Sequence, residues 1–252
     1  MPYVERVTRA GKTIEVERYY TARYRKTGSK RAKKIKPTSE QQEKINNKQA
    51  ERKLRLIINT NFGYGDYHIV LDYIRNKEHP DRTPEEMKAD IRKFLSECRK
   101  RYRKAGKEFK YIHVMEIGEK GARHHHLVVN GIDPRQLQEA WYKAYEGHNR
   151  VKIFPLDDTG QYADLAAYLI KFTGKHLKDP EGERLMGKRW SSSRNLKKPI
   201  EEKRIISRRY FRTNEPKAKK GYYIDKRRTE QGITGSACGG YGFFRYTMVM
   251  LN

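Results

Sequence analysis

The stretch Glu116-Ile-Gly-Glu-Lys-Gly-Ala-Arg-His124-His125-His126-Leu-Val-Val constrains this chain more than any other. Two runs of strand-forming residues flank Gly118-Glu119-Lys120-Gly121, the composition of a hairpin turn. Residues two apart on a strand share a face. His124 and His126 therefore point one way, and His125, Leu127 and Val129 point the other. If the hairpin centres on Lys120, Glu116 stands directly opposite His124, and a diagonal neighbour stays in reach. Glu116, His124 and His126 then converge on one point. Two imidazoles and a carboxylate with open positions make an open divalent-metal site. Glu119 is the competing carboxylate, but it falls in the turn.

Around this hairpin the pattern alternates strands and helices. Leu54 to Asn59 and Asp66 to Tyr73 read as strands, with Gly63 and Gly65 between them. Thr83-Pro84-Glu85-Glu86 opens a helix with an N-cap, a proline in its first turn and a capping glutamate. Phe109 to Ile117 and His124 to Val129 are the hairpin strands. A helix over 134–146, a strand from Arg150 to Phe154 and a helix over 161–173 follow. The expected fold is α+β: a sandwich built on one central, mostly antiparallel, five-stranded sheet with helices. Residues 54–175 form its core, 1–53 a basic N-terminal extension, and 176–252 a basic C-terminal extension that packs on or flanks the core.

Within the extensions, Val4 to Thr8 and Thr13 to Tyr20 read as a hairpin around Ala10-Gly11-Lys12. Residues 23–36 carry eight basic side chains and no acidic one. Such a block cannot bury itself and reads as an arm that orders on a polyanion. Pro37 ends it, and a polar helix runs from Thr38-Ser39 to about Arg52. Downstream, Ile200 to Phe211 reads as a helix and Tyr241 to Leu251 as a strand.

Charge narrows the partner. Lys and Arg number 57 against 31 Asp and Glu, a formal net charge of +26. So large an excess points to a polyanion. No apolar run approaches the ~20 residues of a spanning helix, and no signal-peptide pattern opens the chain, so nucleic acid is preferred over a membrane. The 18 tyrosines and 8 phenylalanines, many beside cations, suit stacking on unpaired bases. Cys98 and Cys238 fit neither a disulfide framework nor a thiolate metal site, as in a cytoplasmic protein.

The helix over 161–173 carries the second chemical feature. Leu165, Leu169 and Phe172 form a packing stripe. Asp164, Tyr168, Lys171 and Lys175 form the neighbouring one, so that Tyr168 and Lys171 can face one phosphate. Gly182 to Lys188 imitates the front of a phosphate-binding loop, but Arg189 stands where a Ser or Thr would hold magnesium and no apolar strand leads in. The chain thus lacks a helicase motor of its own. His68, His79, His113, His148 and His176 share no metal spacing and read as surface or core residues. Trp190-Ser-Ser-Ser-Arg194 reads as a basic loop that either packs its Trp or touches DNA.

Taken together, Glu116, His124-His125-His126 with its apolar strand, and Tyr168-Leu-Ile-Lys171 on a later helix resemble the HUH endonuclease superfamily of rolling-circle replication initiators. His125 departs from that pattern, which usually has an apolar residue there. Asn59-Thr-Asn-Phe-Gly-Tyr-Gly-Asp66 sits where the family's first strand motif would be. The resemblance implies site-specific nicking and joining of single-stranded DNA, with Tyr168 as nucleophile, a 5′-phosphotyrosine intermediate and a free 3′-hydroxyl. It implies Lys171 as a supporting charge, and manganese or magnesium held by Glu116, His124 and His126. Arg23, Arg25, Lys30, Arg31, Lys33, Lys34, Arg123, Lys175 and Arg194 are the expected DNA contacts. The implied partners are single-stranded or origin-hairpin DNA of a plasmid or phage, with a host helicase and polymerase. A conjugative relaxase or single-strand transposase would share this chemistry. A non-catalytic single-strand binding protein would share only the charge and the aromatic rings.

Overall fold

The helix that opens at Ser39 does not stop at Arg52. In the computed structural model, which describes residues 3–21, 39–74, 81–117, 121–145, 150–175, 189–234 and 241–251, it runs on to Asn61. The strand expected over Leu54–Asn59 is therefore a helix. Leu54, Ile58 and Phe62 recur every four residues and pack into one cluster with Ala50 and Ile57. This short apolar run continues a helical period, which the polar first half of the helix conceals.

The element order is β1 (Tyr3–Ala10), β2 (Thr13–Tyr20), α1 (Ser39–Asn61), β3 (Tyr67–Asp72), α2 (Pro84–Lys104), β4 (Tyr111–Ile117), β5 (Arg123–Val129), α3 (Pro134–Ala144), β6 (Val151–Pro155), α4 (Ala163–Lys175), β7 (Ser191–Ser192), β8 (Ile200–Ile206), α5 (Arg208–Thr213), β9 (Tyr222–Thr234) and β10 (Tyr241–Met250). The α+β expectation holds, with two five-stranded antiparallel sheets in place of one. The chain divides into two compact units. One gathers Met1–Glu43, Thr159–Gln161 and Lys198–Asn252. The other gathers Lys44–Asp158 and Tyr162–Lys197.

In the second unit the sheet order is β6-β3-β5-β4-β7. The fifth strand is the two-residue β7, which pairs with Ile112 and His113 of β4. Period-2 alternation sorts the side chains onto two faces. Ile69, Leu71, Tyr111, Leu127 and Val129 pack against α2 and α3 around Phe94 and Trp141. On the other face Ile112, Val114 and Val128 pack against α1 and α4 through Leu54, Ile58, Ala166 and Leu169. The start of α2 is fixed by a capping box: the Thr83 hydroxyl accepts from the Glu86 N–H, and the Glu86 carboxylate accepts from the Thr83 N–H. Gly131 passes so close to the Gly65 carbonyl that a Cβ there would lie 2.3 Å from its oxygen. Only glycine permits that approach.

In the first unit the order is β8-β1-β2-β10-β9. Strands from the two ends of the chain thus share one sheet, β1 and β2 lying between β8 and β10. The segment read as a helix over Ile200–Phe211 divides instead into β8 and the short α5. Ile200 to Ile206 pair residue for residue with Arg9 to Tyr3. An open edge on β1 outweighs the local preference of this charged run. The β1–β2 hairpin appears with the expected turn, Gly11 taking φ 55°. No described helix is long and apolar enough to cross a membrane.

Candidate metal centre and tyrosine

The hairpin register places Glu116 opposite His124 and Val114 opposite His126. Because β5 also pairs with β3, His126 faces Val70 and His124 faces Asp72. These side chains rise from the sheet face that carries α4. The Glu116 Oε2 lies 2.6 Å from His126 Nε2 and 3.3 Å from His124 Nε2. One ligand atom from each residue fits within a 4.8 Å cluster. Glu116 and His126 are buried, and both Glu116 Oε2 and His126 Nε2 lack a hydrogen-bond partner of proper geometry. Buried polar atoms are nearly always paired. Two such atoms aimed at one point, with the imidazole of His124 as a third donor beside them, form a donor set that fits a divalent cation.

Neighbouring residues prepare this set. The other ring nitrogen of His126, Nδ1, lies 3.2 Å from His68 Nε2. For His126 Nε2 to offer a lone pair to a cation, its proton must sit on Nδ1, from which it can be donated to His68. His68 suits that role because burial, reinforced by His126, lowers its pKa to about 4 and keeps it a neutral acceptor. Burial opposes the charge on Glu116, but in the metal-free site N–H donation and positive charge from His124 and His126 outweigh it and hold the carboxyl at about 2. The carboxylate is thus ionised and ready as a ligand at neutral pH.

Tyr168 comes from α4, half exposed, with its ring edge-on to His126 at 5.4 Å between centroids and to His68 at 6.2 Å. Burial, then the negative charges of Glu116 and Asp72, push its hydroxyl above its ordinary pKa. Burial and these two carboxylates therefore disfavour the phenolate. The other tyrosine near this helix, Tyr162, is buried, and its hydroxyl donates to the Asp157 carbonyl at 2.7 Å. Its backbone N–H is capped by Asn59 Oδ1 at 3.0 Å.

His124, His126 and Tyr168 line one cavity of about 800 Å³, together with His68, Asp72, Arg123, Lys152 and Phe154. Of the cations expected from sequence, this cavity includes Arg123, whose guanidinium also donates to the Arg82 carbonyl. Lys171 is exposed one turn beyond Tyr168 and is not among the lining residues. Arg194 lies in a separate cleft of about 700 Å³ with Arg99, Arg103 and Lys107. Trp190 packs against the α1–α4 cluster. Arg23, Arg25, Lys30, Arg31, Lys33 and Lys34 lie outside the described residues, as do Gly182 to Lys188, His79, His148, His176, Cys238 and the side chain of Lys175.

Four lining residues, His68, Asp72, Lys152 and Phe154, do not stand out in the sequence. By sequence His68 reads as a surface or core residue, and Asp72, Lys152 and Phe154 as plain strand positions. Lys152 pairs with Asp72 at 2.7 Å, and Phe154 stacks on His68 at 5.6 Å. The available signal was alternation: His68, Val70 and Asp72 on β3 share the face of His124 and His126. His125 behaves as its parity requires. It is fully buried on the opposite face, where its Nε2 meets the Tyr73 hydroxyl at 2.8 Å and its Nδ1 meets His113 Nε2 at 3.0 Å. The position that departs from an apolar pattern is therefore hydrogen-bonded at both ring nitrogens.

Compared with known protein families, residues 66–176 match the model of the replication-associated protein ORF2/G2P family. The match supports a replication-initiator family. It spans β3 to the end of α4 and so contains the three clustered donors and Tyr168. None of the curated proteins compared with the chain matches it.

Proposed function

We propose that this chain nicks and rejoins single-stranded DNA at a specific site, by tyrosine transesterification, to start and end rolling-circle replication. The observation that carries the reading is the clustering of Glu116, His124 and His126, whose two imidazoles line one cavity with the half-exposed side chain of Tyr168. The match to a replication-associated family favours replication over mobilisation or transposition.

A divalent ion held by Glu116, His124 and His126 would supply positive charge at the scissile phosphate and beside the tyrosine oxygen. Manganese or magnesium suits a mixed imidazole and carboxylate set. Tyr168 is the nucleophile. Its oxygen bonds to phosphorus as the bond from phosphorus to the 3′-oxygen breaks, and the proton lost by the phenol is balanced by the one gained by the departing 3′-hydroxyl. The product is a 5′-phosphotyrosine, whose retained ester energy lets a 3′-hydroxyl reverse the step and join the strand. Lys152 and Arg123 bring cationic side chains to the cavity wall, and Lys171 adds an exposed charge one turn beyond Tyr168 on α4. His68 holds the His126 ring in the orientation that leaves Nε2 toward Glu116.

Tyr168→Phe removes one oxygen and keeps the ring against His126. Incubated with labelled circular single-stranded DNA of its own replicon and manganese, the wild-type chain should yield a covalent adduct that maps to the peptide carrying Tyr168. The variant should yield none, while Tyr162→Phe keeps the adduct. A robust adduct in Tyr168→Phe, or hydrolytic nicking with no adduct in the wild type, would overturn the mechanism.

A further inference from the structure

The first unit carries cations that the nicking site does not use. We propose that residues 208–220 form a fixed docking surface for the phosphate backbone of double-stranded DNA. This segment leaves β8, forms α5 and then runs on to β9. It is tied to one face of the sheet at both ends. Tyr210 lies between the guanidinium groups of Arg18 and Arg204, 5.0 and 5.3 Å from its ring centre, and its hydroxyl accepts from Arg204 at 2.9 Å. Those two arginines are themselves held by the buried carboxylate of Glu5, at 2.7 and 2.6 Å. Phe211 stacks on Tyr3 at 4.5 Å, and Arg18 donates to the Asn214 carbonyl at 2.5 Å. At the far end the Lys219 N–H points to the Met248 sulfur at 3.4 Å. Tyr3, Glu5, Arg18, Arg204 and Met248 share that face by register.

With its rings turned inward, the segment shows charge outward. Arg208, Arg209, Arg212, Lys217, Lys219 and Lys220 are all exposed, against the single acid Glu215. Among the described residues none of the six has an ion-pair partner. A row of fixed, uncompensated cations neutralises phosphates at little ordering cost. The absence of any outward ring in the segment decides the form of nucleic acid. Unpaired bases are held by stacking on aromatic faces, whereas a duplex offers phosphates and hides its base faces. The cavity of the second unit is the opposite case, with half-exposed Tyr168 and Phe154 among its lining residues. The choice of DNA among polyanions rests on the replication reading above.

The test uses the full chain with Arg208, Arg209, Arg212, Lys217 and Lys220 all replaced by Gln, beside a version with the three arginines replaced by Lys. Binding of a labelled duplex and of the matching single strand is followed by anisotropy as salt rises. The Gln variant should lose duplex affinity on the order of 100-fold, and its salt slope should shrink by about 0.9 for each phosphate contact removed. The Lys version should keep both, and single-strand affinity and single-strand nicking should change little in either. Unchanged duplex affinity, or an equal loss for both forms of DNA, would overturn the proposal. Failure of the wild-type chain to nick would sink the transesterase reading and leave the duplex measurement standing.

Discussion

Each unit buries carboxylates in a five-stranded antiparallel sheet, and the two use them in opposite ways. In the first unit Glu5 lies between Arg18 and Arg204, and Glu17 between Arg6 and Arg245. Both Glu5 and Glu17 thus have two guanidinium groups, the fork geometry that best satisfies a carboxylate. In the second unit Glu116 has no guanidinium beside it. It faces two imidazoles, and one of its oxygens is left without a hydrogen bond. A saturated carboxylate holds strands together. An unsaturated one, buried and clustered with two imidazoles, is a donor set that could hold a cation.

The sharpest way to break that contrast is to neutralise each type. Glu116→Gln keeps the shape of the side chain and removes its charge. Manganese affinity, measured by calorimetry, should fall by at least 10- to 100-fold, and nicking should fall with it. Because Glu116 faces two imidazoles and no guanidinium, the unfolding midpoint of the metal-free chain should fall less than it does for loss of Glu5. A large loss of metal-free stability would mean that Glu116 is structural like Glu5.

The reverse is expected of Glu5→Ala. It leaves Arg18 buried without its partner, and removal of one member of a buried pair costs about 3 to 5 kcal/mol. Hydrogen exchange should speed in β1, β2 and β8, while manganese binding to the second unit stays as it was. If metal affinity dropped equally, the two carboxylate sets would not be separable in function.

A smaller effect separates the two faces of β5. His113, fully buried beside His125, has its pKa lowered to about 3 by burial, with a lesser contribution from His126. Its folded-state value lies below its unfolded value of about 6.5. The contribution is therefore complete above pH ~6.5 and is lost as pH falls toward 3, because the unfolded chain takes up the proton first. Thermal unfolding of the chelator-treated chain should show stability falling with acid over this range, and His113→Leu should flatten the fall. An unchanged slope would assign the acid sensitivity to other groups.

Much of the candidate site was legible because its information is local. Period 2 and a short turn put Glu116, His124 and His126 on one face, and the register bears out that geometry. Helical spacing gave the element that presents Tyr168. Caps and punctuation at Thr83, Pro84 and Gly106 bounded α2.

What the sequence by itself determined, then, is wherever a residue's partner lies a few positions away: the two hairpins, the capped helix and the donor face of β5. Tertiary structure decided the rest. Leu54 to Asn59 is a helix because Leu54 and Ile58 have the α4 cluster to fill. Ile200 to Ile206 is a strand because β1, some two hundred residues earlier, offers an edge. His68 and Lys152 join the cavity because β3 and β6 pair beside β5. The physical reason is common to all three. A strand pairing or a packed cluster draws its free energy from groups remote in the chain, and no local period or turn residue records which remote groups those are.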